Sequence, residues 1–444
     1  MRRADREHGG NVTAQHQTAT TPKVDIDGDR LWASLMRLAE IGAFTDAATG
    51  LTGVNRQSLT DEDADGRRLL VQWMREAGLE VSVDRMGNVF GRREGTRPEL
   101  APVMIGSHID SVPTASAFDG CLGVLGGLEI VRSLEQRGVA TARSLVIAAF
   151  SEEEGVRFGT DMLGSAVAAG RLSLEHAYRL RDADGCTFGD ELERIGFKGQ
   201  PSELLEPVHA YLECHIEQGP TLLRDDLPIG VVTGVQAISW QRITLHGRAA
   251  HAGATPTDLR VDAGLAAAQI VVKVRDMVDS GSYGCLRGTV GRIVTEPGMP
   301  SVVPDRAELT VDLRNPDSAH MAAAESELAD FLRDLPSQQP CEGLVVETER
   351  MARTEPVPFD ARLQRAIADA AANRGYPTGR LMSGAGHDAQ EIVAIAPAAM
   401  VFVRGQFDGI SHNPREYSTQ EDCAAGTQVL ADVALELAAE GEHA

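Results

Sequence analysis

Five side chains in this 444-residue sequence could share metal ions: His108, Asp119, Glu154, His215 and His412. Imidazole nitrogen and carboxylate oxygen suit Zn²⁺, and Mn²⁺ or Co²⁺ tolerate them. One carboxylate bridging two ions would leave each ion three protein ligands and an open position. That is the arrangement of a two-metal hydrolase, with ions roughly 3.5–4 Å apart. A lone His after a strand is more often a hydrogen-bonded structural group. Five such residues, each in a turn with glycine or proline nearby, shift the reading to a metal centre. Glu153 neighbours Glu154, so one carboxylate can reach a metal while the other takes a proton from water, and Glu153 is the expected general base. Glu152, the third member of the run, is expected to be solvated.

The elements around these residues read as strands that end where the chemistry begins. Val103 to Ser107 is apolar and runs into His108; Leu145 to Phe150 runs into Glu152-Glu153-Glu154-Gly155. Between them Leu122, Leu125, Leu128, Val131 and Leu134 recur near the helical period, giving a strand–helix–strand unit and a parallel sheet. In such sheets ligands gather beyond the carboxyl ends of the strands. Val208 to Cys214 is a further strand, ending at His215, and Ala398 to Val403 precedes the loop that carries His412. Helices are expected at 29–43, from Thr60 to Gly78, and from about Ser418 to Ala439, with a loop over 50–59. Between about 233 and 352 the texture changes to strands at 239–246, 288–294 and 307–314 and helices at 262–278 and 318–335. The expected architecture is α/β: a catalytic domain with a mixed, largely parallel sheet (27–232 and 353–444), interrupted by an inserted α+β lid and dimerisation domain (233–352). Residues 1–26 read as a disordered extension.

Composition narrows the partners. A net charge of −23 argues against nucleic acid or an anionic membrane. No apolar stretch approaches the ~20 residues that cross a bilayer. The six cysteines form no C-x-x-C pair, which fits a reducing, cytoplasmic compartment and offers no thiolate metal site.

Gly106-Ser107-His108-Ile109-Asp110, Phe118-Asp119-Gly120, Glu153-Glu154-Gly155-Val156-Arg157-Phe158, His215-Ile216-Glu217-Gln218-Gly219-Pro220, His251-Ala252-Gly253, Ser383 to Ala389 and Ser411-His412-Asn413-Pro414 stand in order along the chain. Together they resemble the hydantoinase/carbamoylase family of amidases, within the aminoacylase and zinc-carboxypeptidase superfamily. The resemblance spans about residues 28–440. It implies that His108, Asp119 and His215 hold one metal and Asp119, Glu154 and His412 the other. It further implies that His251 reaches into the partner subunit's site of a homodimer to stabilise an oxyanion. Arg314 would clamp the substrate carboxylate, with Gln218, Ser301, Gly384 and His387 also at substrate positions. Three departures from the family pattern bear on substrate rather than on metal chemistry: Ala115-Ser116-Ala117 before Asp119, Ser301 in place of an asparagine, and Asp305 in place of a glycine.

The resemblance implies a two-metal amidohydrolase that cleaves the ureido C–N bond of an N-carbamoyl-L-amino acid to the amino acid, CO₂ and ammonia. The ions would be Zn²⁺, with Mn²⁺ or Co²⁺ possible. Allantoate or ureidoglycolate hydrolysis is the alternative with the same machinery. An N-acyl amino acid deacylase or dipeptidase, or a decayed binding homologue, is the more distant one.

Overall fold

The computed structural model describes residues 23–200, 207–338 and 341–439. Two sheets and two helical layers organise it. Four largely apolar runs pair side by side at the centre of the larger sheet, in the order Ala398–Val403, Ala210–Ile216, Val103–His108, Leu145–Phe150. All three pairings are parallel. Every residue of these strands is buried, as expected of a parallel sheet covered on both faces. Antiparallel strands flank them, with Val89–Arg93 and Glu80–Val83 on one side and Ile229–Val235 on the other. Their shared polarity brings His108, Phe150, Ile216 and Val403 to one end of the sheet.

Two helices cover this sheet closely because of their glycines. On Cys121–Arg137, a Cβ at Gly123 would fall 2.7 Å from the Cys214 carbonyl oxygen, and one at Gly127 would fall 3.0 Å from the Ile105 side chain. On Gln420–Ala439, a Cβ at Gly426 would fall 2.1 Å from Val403 Cγ1. With no side chain at these points the helix axes come closer to the sheet than leucine would allow, and buried Leu122, Leu125, Leu128, Val429 and Val433 fill the layer.

The second sheet is antiparallel, in the order Arg287–Glu296, Arg306–Asn315, Ala237–His246, Val345–Arg353. Along Arg306–Asn315 every second residue is buried. Leu309, Val311 and Leu313 pack with Ile270, Val274 and Leu328 of helices Ala263–Asp279 and Ser318–Asp334. Alternation therefore puts Asp312 and Arg314 on the opposite face, beside their cross-strand neighbours Trp240 and Ile238.

Several expectations shift. Residues 1–22 of the expected extension lie outside the described residues, but Val24 is buried and the Ile26 amide donates to Gln428 Oε1 at 3.0 Å, so 23–26 join the body. The first helix stops at Ala39, and Ala43–Thr45 pairs with Thr52–Val54 in a short hairpin where a helix end and a loop were expected. Thr378–Ser383 forms a strand parallel to Ile229–Val235 that its mixed composition did not announce.

Candidate active site

Each candidate ligand is delivered by a strand end or a strained turn. His108 ends its strand, and its Nδ1 donates to the Asp110 carbonyl at 3.0 Å; His215 does the same to the Ile216 carbonyl at 2.9 Å. Those bonds fix both rings with Nε2 turned toward Asp119, the orientation that second partners impose on metal-binding imidazoles. Asp119 precedes Gly120, whose φ of 63° suits glycine and whose Cβ, if present, would lie 2.4 Å from the His108 ring. His412 and Gln218 also sit at positive φ, 55° and 53°. Such strained residues cluster at functional sites.

The two oxygens of Asp119 face different neighbours. Oδ1 lies 3.1 Å from His215 Nε2 and 3.7 Å from His108 Nε2; Oδ2 lies 3.5 Å from His412 Nε2. His412 Nε2 is also 3.3 Å from Glu154 Oε2. His108, Asp119 and His215 thus form one group with ligand atoms within 4.8 Å of one another, and Asp119, Glu154 and His412 form a second. Glu153 Oε2 is 3.4 Å from His108 Nε2, and the backbone amides of Glu153 and Glu154 both donate to Asp110 at 3.4 Å.

Electrostatics describe a site crowded with buried anions. Burial, then Asp388 and Glu154, push the Glu153 carboxyl well above its usual range, and burial with Asp119 does the same to Glu154. Burial alone would raise Asp119 too, but the His215 hydrogen bond and the His108 and His412 imidazoles hold it well below normal. Burial lowers His215, yet Asp119 outweighs it and brings the ring up to about 9, while burial dominates at His108 and brings it down to about 4. Two imidazoles plus one carboxylate oxygen on one side, and two carboxylates plus an imidazole on the other, fit two divalent cations, whose charge would offset this excess of carboxylate.

Glu152 departs from expectation. It is buried, its Oε1 accepts the Phe158 amide at 2.8 Å, and burial followed by Asp110 raises its carboxyl to about 8. The acidic run does not face water; it turns inward and caps its own loop.

A cavity of about 210 Å³ opens onto the cluster, lined by Glu153, Glu154, Asp161, Gln218, Trp240, Arg314 and His387 among others. Gln218 Nε2 donates to Asp119 Oδ2 at 2.9 Å and to Ser411 Oγ at 3.1 Å. Arg314 reaches in from the smaller sheet, pairs with Asp312 at 3.0 Å and donates from Nη1 to the Gly384 carbonyl at 2.7 Å. His387 is buried and its Nε2 meets Ser383 Oγ at 2.8 Å. His251 and Ser301 lie elsewhere and are exposed, in and beside the short pairing of Ala250–His251 with Val302–Val303. His251 Nδ1 accepts the Gly253 and Ala254 amides at 3.1 and 3.0 Å, and the Ser301 carbonyl accepts the Ala252 amide.

Sequence reasoning noted Asp110 two residues after His108 but gave it no separate role, and it missed Asp161, Trp240 and Glu416. Glu416 accepts from Ser116 and from Ser411, the latter at 2.6 Å, so the unusual Ser116 ties the approach to Asp119 to the His412 loop. No local pattern announces that pairing across 300 positions.

Comparison with known proteins places this geometry. Residues 104–436 match the family model described as peptidase family M20/M25/M40. An N-carbamoyl-L-amino-acid amidohydrolase of Rhizobium meliloti is 43% identical over 415 residues, covering 93% of this chain and 97% of that protein. A ureidoglycolate hydrolase of Arabidopsis thaliana is 33% identical, covering 89% and 84%. The crystal structure of a hydantoinase/carbamoylase family amidase from Burkholderia multivorans superposes with a TM-score of 0.86 at 43% identity, covering 94% of this chain and 100% of that one.

Proposed function

This chain belongs to peptidase family M20/M25/M40 and, within it, to the hydantoinase/carbamoylase amidases, and from that premise we propose that its site hydrolyses the ureido group of an N-carbamoyl-L-amino acid. Water adds to the ureido carbon, the C–N bonds break, and the products are the amino acid, CO₂ and ammonia. The observation that carries this reading is Asp119, which turns one oxygen to His108 and His215 and the other to His412 beside Glu154.

We read those five residues as ligands of two divalent ions, Zn²⁺ first by donor chemistry and Mn²⁺ or Co²⁺ next. Held by those residues, such ions would supply Lewis acidity toward the substrate carbonyl and toward water. Glu153 takes a proton from the attacking water and returns it to the departing nitrogen. Its carboxylate oxygen, 3.4 Å from His108 Nε2, stands at the edge of the ligand group where that water would sit. Arg314 exchanges the Gly384 carbonyl for the substrate carboxylate, a planar bidentate partner. Gln218 and the His387 turn orient the ureido group.

Residues 233–352 serve as lid and dimerisation domain. Support comes from the apolar side chains that this domain exposes: Val272 at 57%, Leu265 at 39% and Ile293 at 48%. Ile293 lies on the edge strand Arg287–Glu296, whose unpaired side is open to a second copy. His251, with Nδ1 held by its own turn, would then serve the partner's cavity as an oxyanion donor.

The test is ammonia release by purified, metal-replete protein from N-carbamoyl-L-amino acids, allantoate and ureidoglycolate. Highest kcat/KM on a carbamoyl amino acid supports the proposal. Highest kcat/KM on allantoate or ureidoglycolate favours the second reading, which the Arabidopsis relative supports. Faster release of free amino acid from N-acetyl amino acids or dipeptides, read by amine detection on the same preparation, contradicts both.

A further inference from the structure

The loop that follows Glu153 folds back on itself. The Met162 amide donates to the Glu153 carbonyl at 2.7 Å and the Leu163 amide to the Glu152 carbonyl at 3.0 Å. A Cβ on Gly155, whose φ is 63°, would fall 2.5 Å from the Asp161 amide nitrogen. The backbone of Asp161 is thereby fixed against that of the general base, and its carboxylate is presented to the cavity. Asp161 Oδ2 lies 3.8 Å from where a Cβ of Gly386 would stand, so it borders the Ser383–Ala389 turn as well.

Among the described residues, no side chain donates a hydrogen bond to this carboxylate and none forms an ion pair with it within 4.0 Å. Arg314, the cation whose field reaches it, is engaged by Asp312 and the Gly384 carbonyl. The remaining ionisable groups of the cavity wall have roles in the reading above: Asp119, Glu154, His215 and His412 as ligands, Glu153 as base, Arg314 on the carboxylate, His387 on the ureido group. Asp161 is left facing whatever else the substrate carries.

We propose that Asp161 is a specificity-determining residue that reads the α-substituent of the substrate, favouring side chains that end in an N–H donor such as a carboxamide, a second ureido group or an ammonium. The proposal rests on the ureido-hydrolase reading and deepens it. With the carboxylate at Arg314 and the scissile group at Glu153, the third substituent of the α-carbon is the one free to approach Asp161. An apolar group there strips water from the carboxylate and gives no bond in return; an N–H donor replaces the lost water. Sites built around such a polar partner discriminate strongly against analogues that lack it.

The test uses the metal-loaded full chain, as wild type, Asp161→Ala and Asp161→Asn. N-carbamoyl-L-glutamine, N-carbamoyl-L-lysine and N-carbamoyl-L-methionine are supplied in pairs, so that ratios of kcat/KM do not depend on the active fraction. Wild type is expected to prefer the glutamine and lysine compounds. Asp161→Ala should lower both donor-to-methionine ratios at least ~10-fold, chiefly through KM. The nearly isosteric Asp161→Asn should lower the lysine ratio more than the glutamine ratio, and it decides the matter if the alanine variant does not fold. Ratios unchanged within about twofold in both variants overturn the role of Asp161 and leave the ureido-hydrolase reading standing. A wild-type protein that releases ammonia from none of the three compounds, nor from allantoate or ureidoglycolate, overturns that reading and this proposal with it.

Discussion

If Glu153 is the base and its neighbours are ligands, single substitutions separate the two roles. Glu153→Gln keeps the shape and removes the base, so both metals should stay bound while kcat falls by ~10²–10⁴. Metal analysis and turnover on one preparation check this; near-normal kcat would assign the base elsewhere. His215→Ala, by contrast, should lose a metal. The same side chains set a pH dependence. His215 is raised to about 9 because Asp119 outweighs its burial, and Glu154 is raised mainly by burial. Ligation requires the deprotonated form of each. Raising pH toward 9 removes the His215 proton and lowering it restores it, so metal affinity should strengthen with pH over that window and binding should release protons. Calorimetric titrations in buffers of different ionisation enthalpy would show the release. Affinity that fell with rising pH would contradict it. At this scale the sequence was informative, because ligand types at strand ends are visible as such. Glu152 was misread because an acidic triplet looks the same whether it faces water or folds inward.

Strands and helices place those residues, and their glycines set the tolerances. Gly123 lets helix Cys121–Arg137 rest on the sheet, and Gly120 lets Asp119 turn past His108. Gly123→Ala should cost about 1–3 kcal/mol by overpacking, read as a lower denaturation midpoint. Gly120→Ala adds a methyl at 2.4 Å from the His108 ring in a backbone conformation that disfavours it. Its loss should therefore appear in metal affinity as well as in stability; unchanged metal affinity would show that His108 moves freely. The four central strands were legible because burial on both faces favours long apolar runs, interrupted only near their ends by groups that face the site or a partner. Thr378–Ser383 was not, since every residue but Ser383 stays at least partly exposed at the flank of the sheet. The hairpin pairing Ala43–Thr45 with Thr52–Val54 is held by a partner rather than by its own composition.

Across the whole molecule, the cavity forms where two sheets meet. The cavity takes Glu153 and Gln218 from one and Trp240 and Arg314 from the other. Alternation along Arg306–Asn315 could have been read in advance, but which face met the catalytic body depended on packing hundreds of residues away. If a second copy covers the exposed lid face, Val272→Asp should yield a monomer with kcat reduced by ~10²–10³, the usual loss for a missing oxyanion donor. Light scattering on the eluting protein, paired with kinetics, checks both halves. A monomer with undiminished kcat would remove His251 from the mechanism. Titrating Zn²⁺ or Mn²⁺ into chelated protein while following ammonia release from an N-carbamoyl-L-amino acid asks whether two ions per chain drive turnover. Activity should be absent at the start and reach its plateau at two ions per chain, whereas full activity in the chelated protein would contradict a two-metal site.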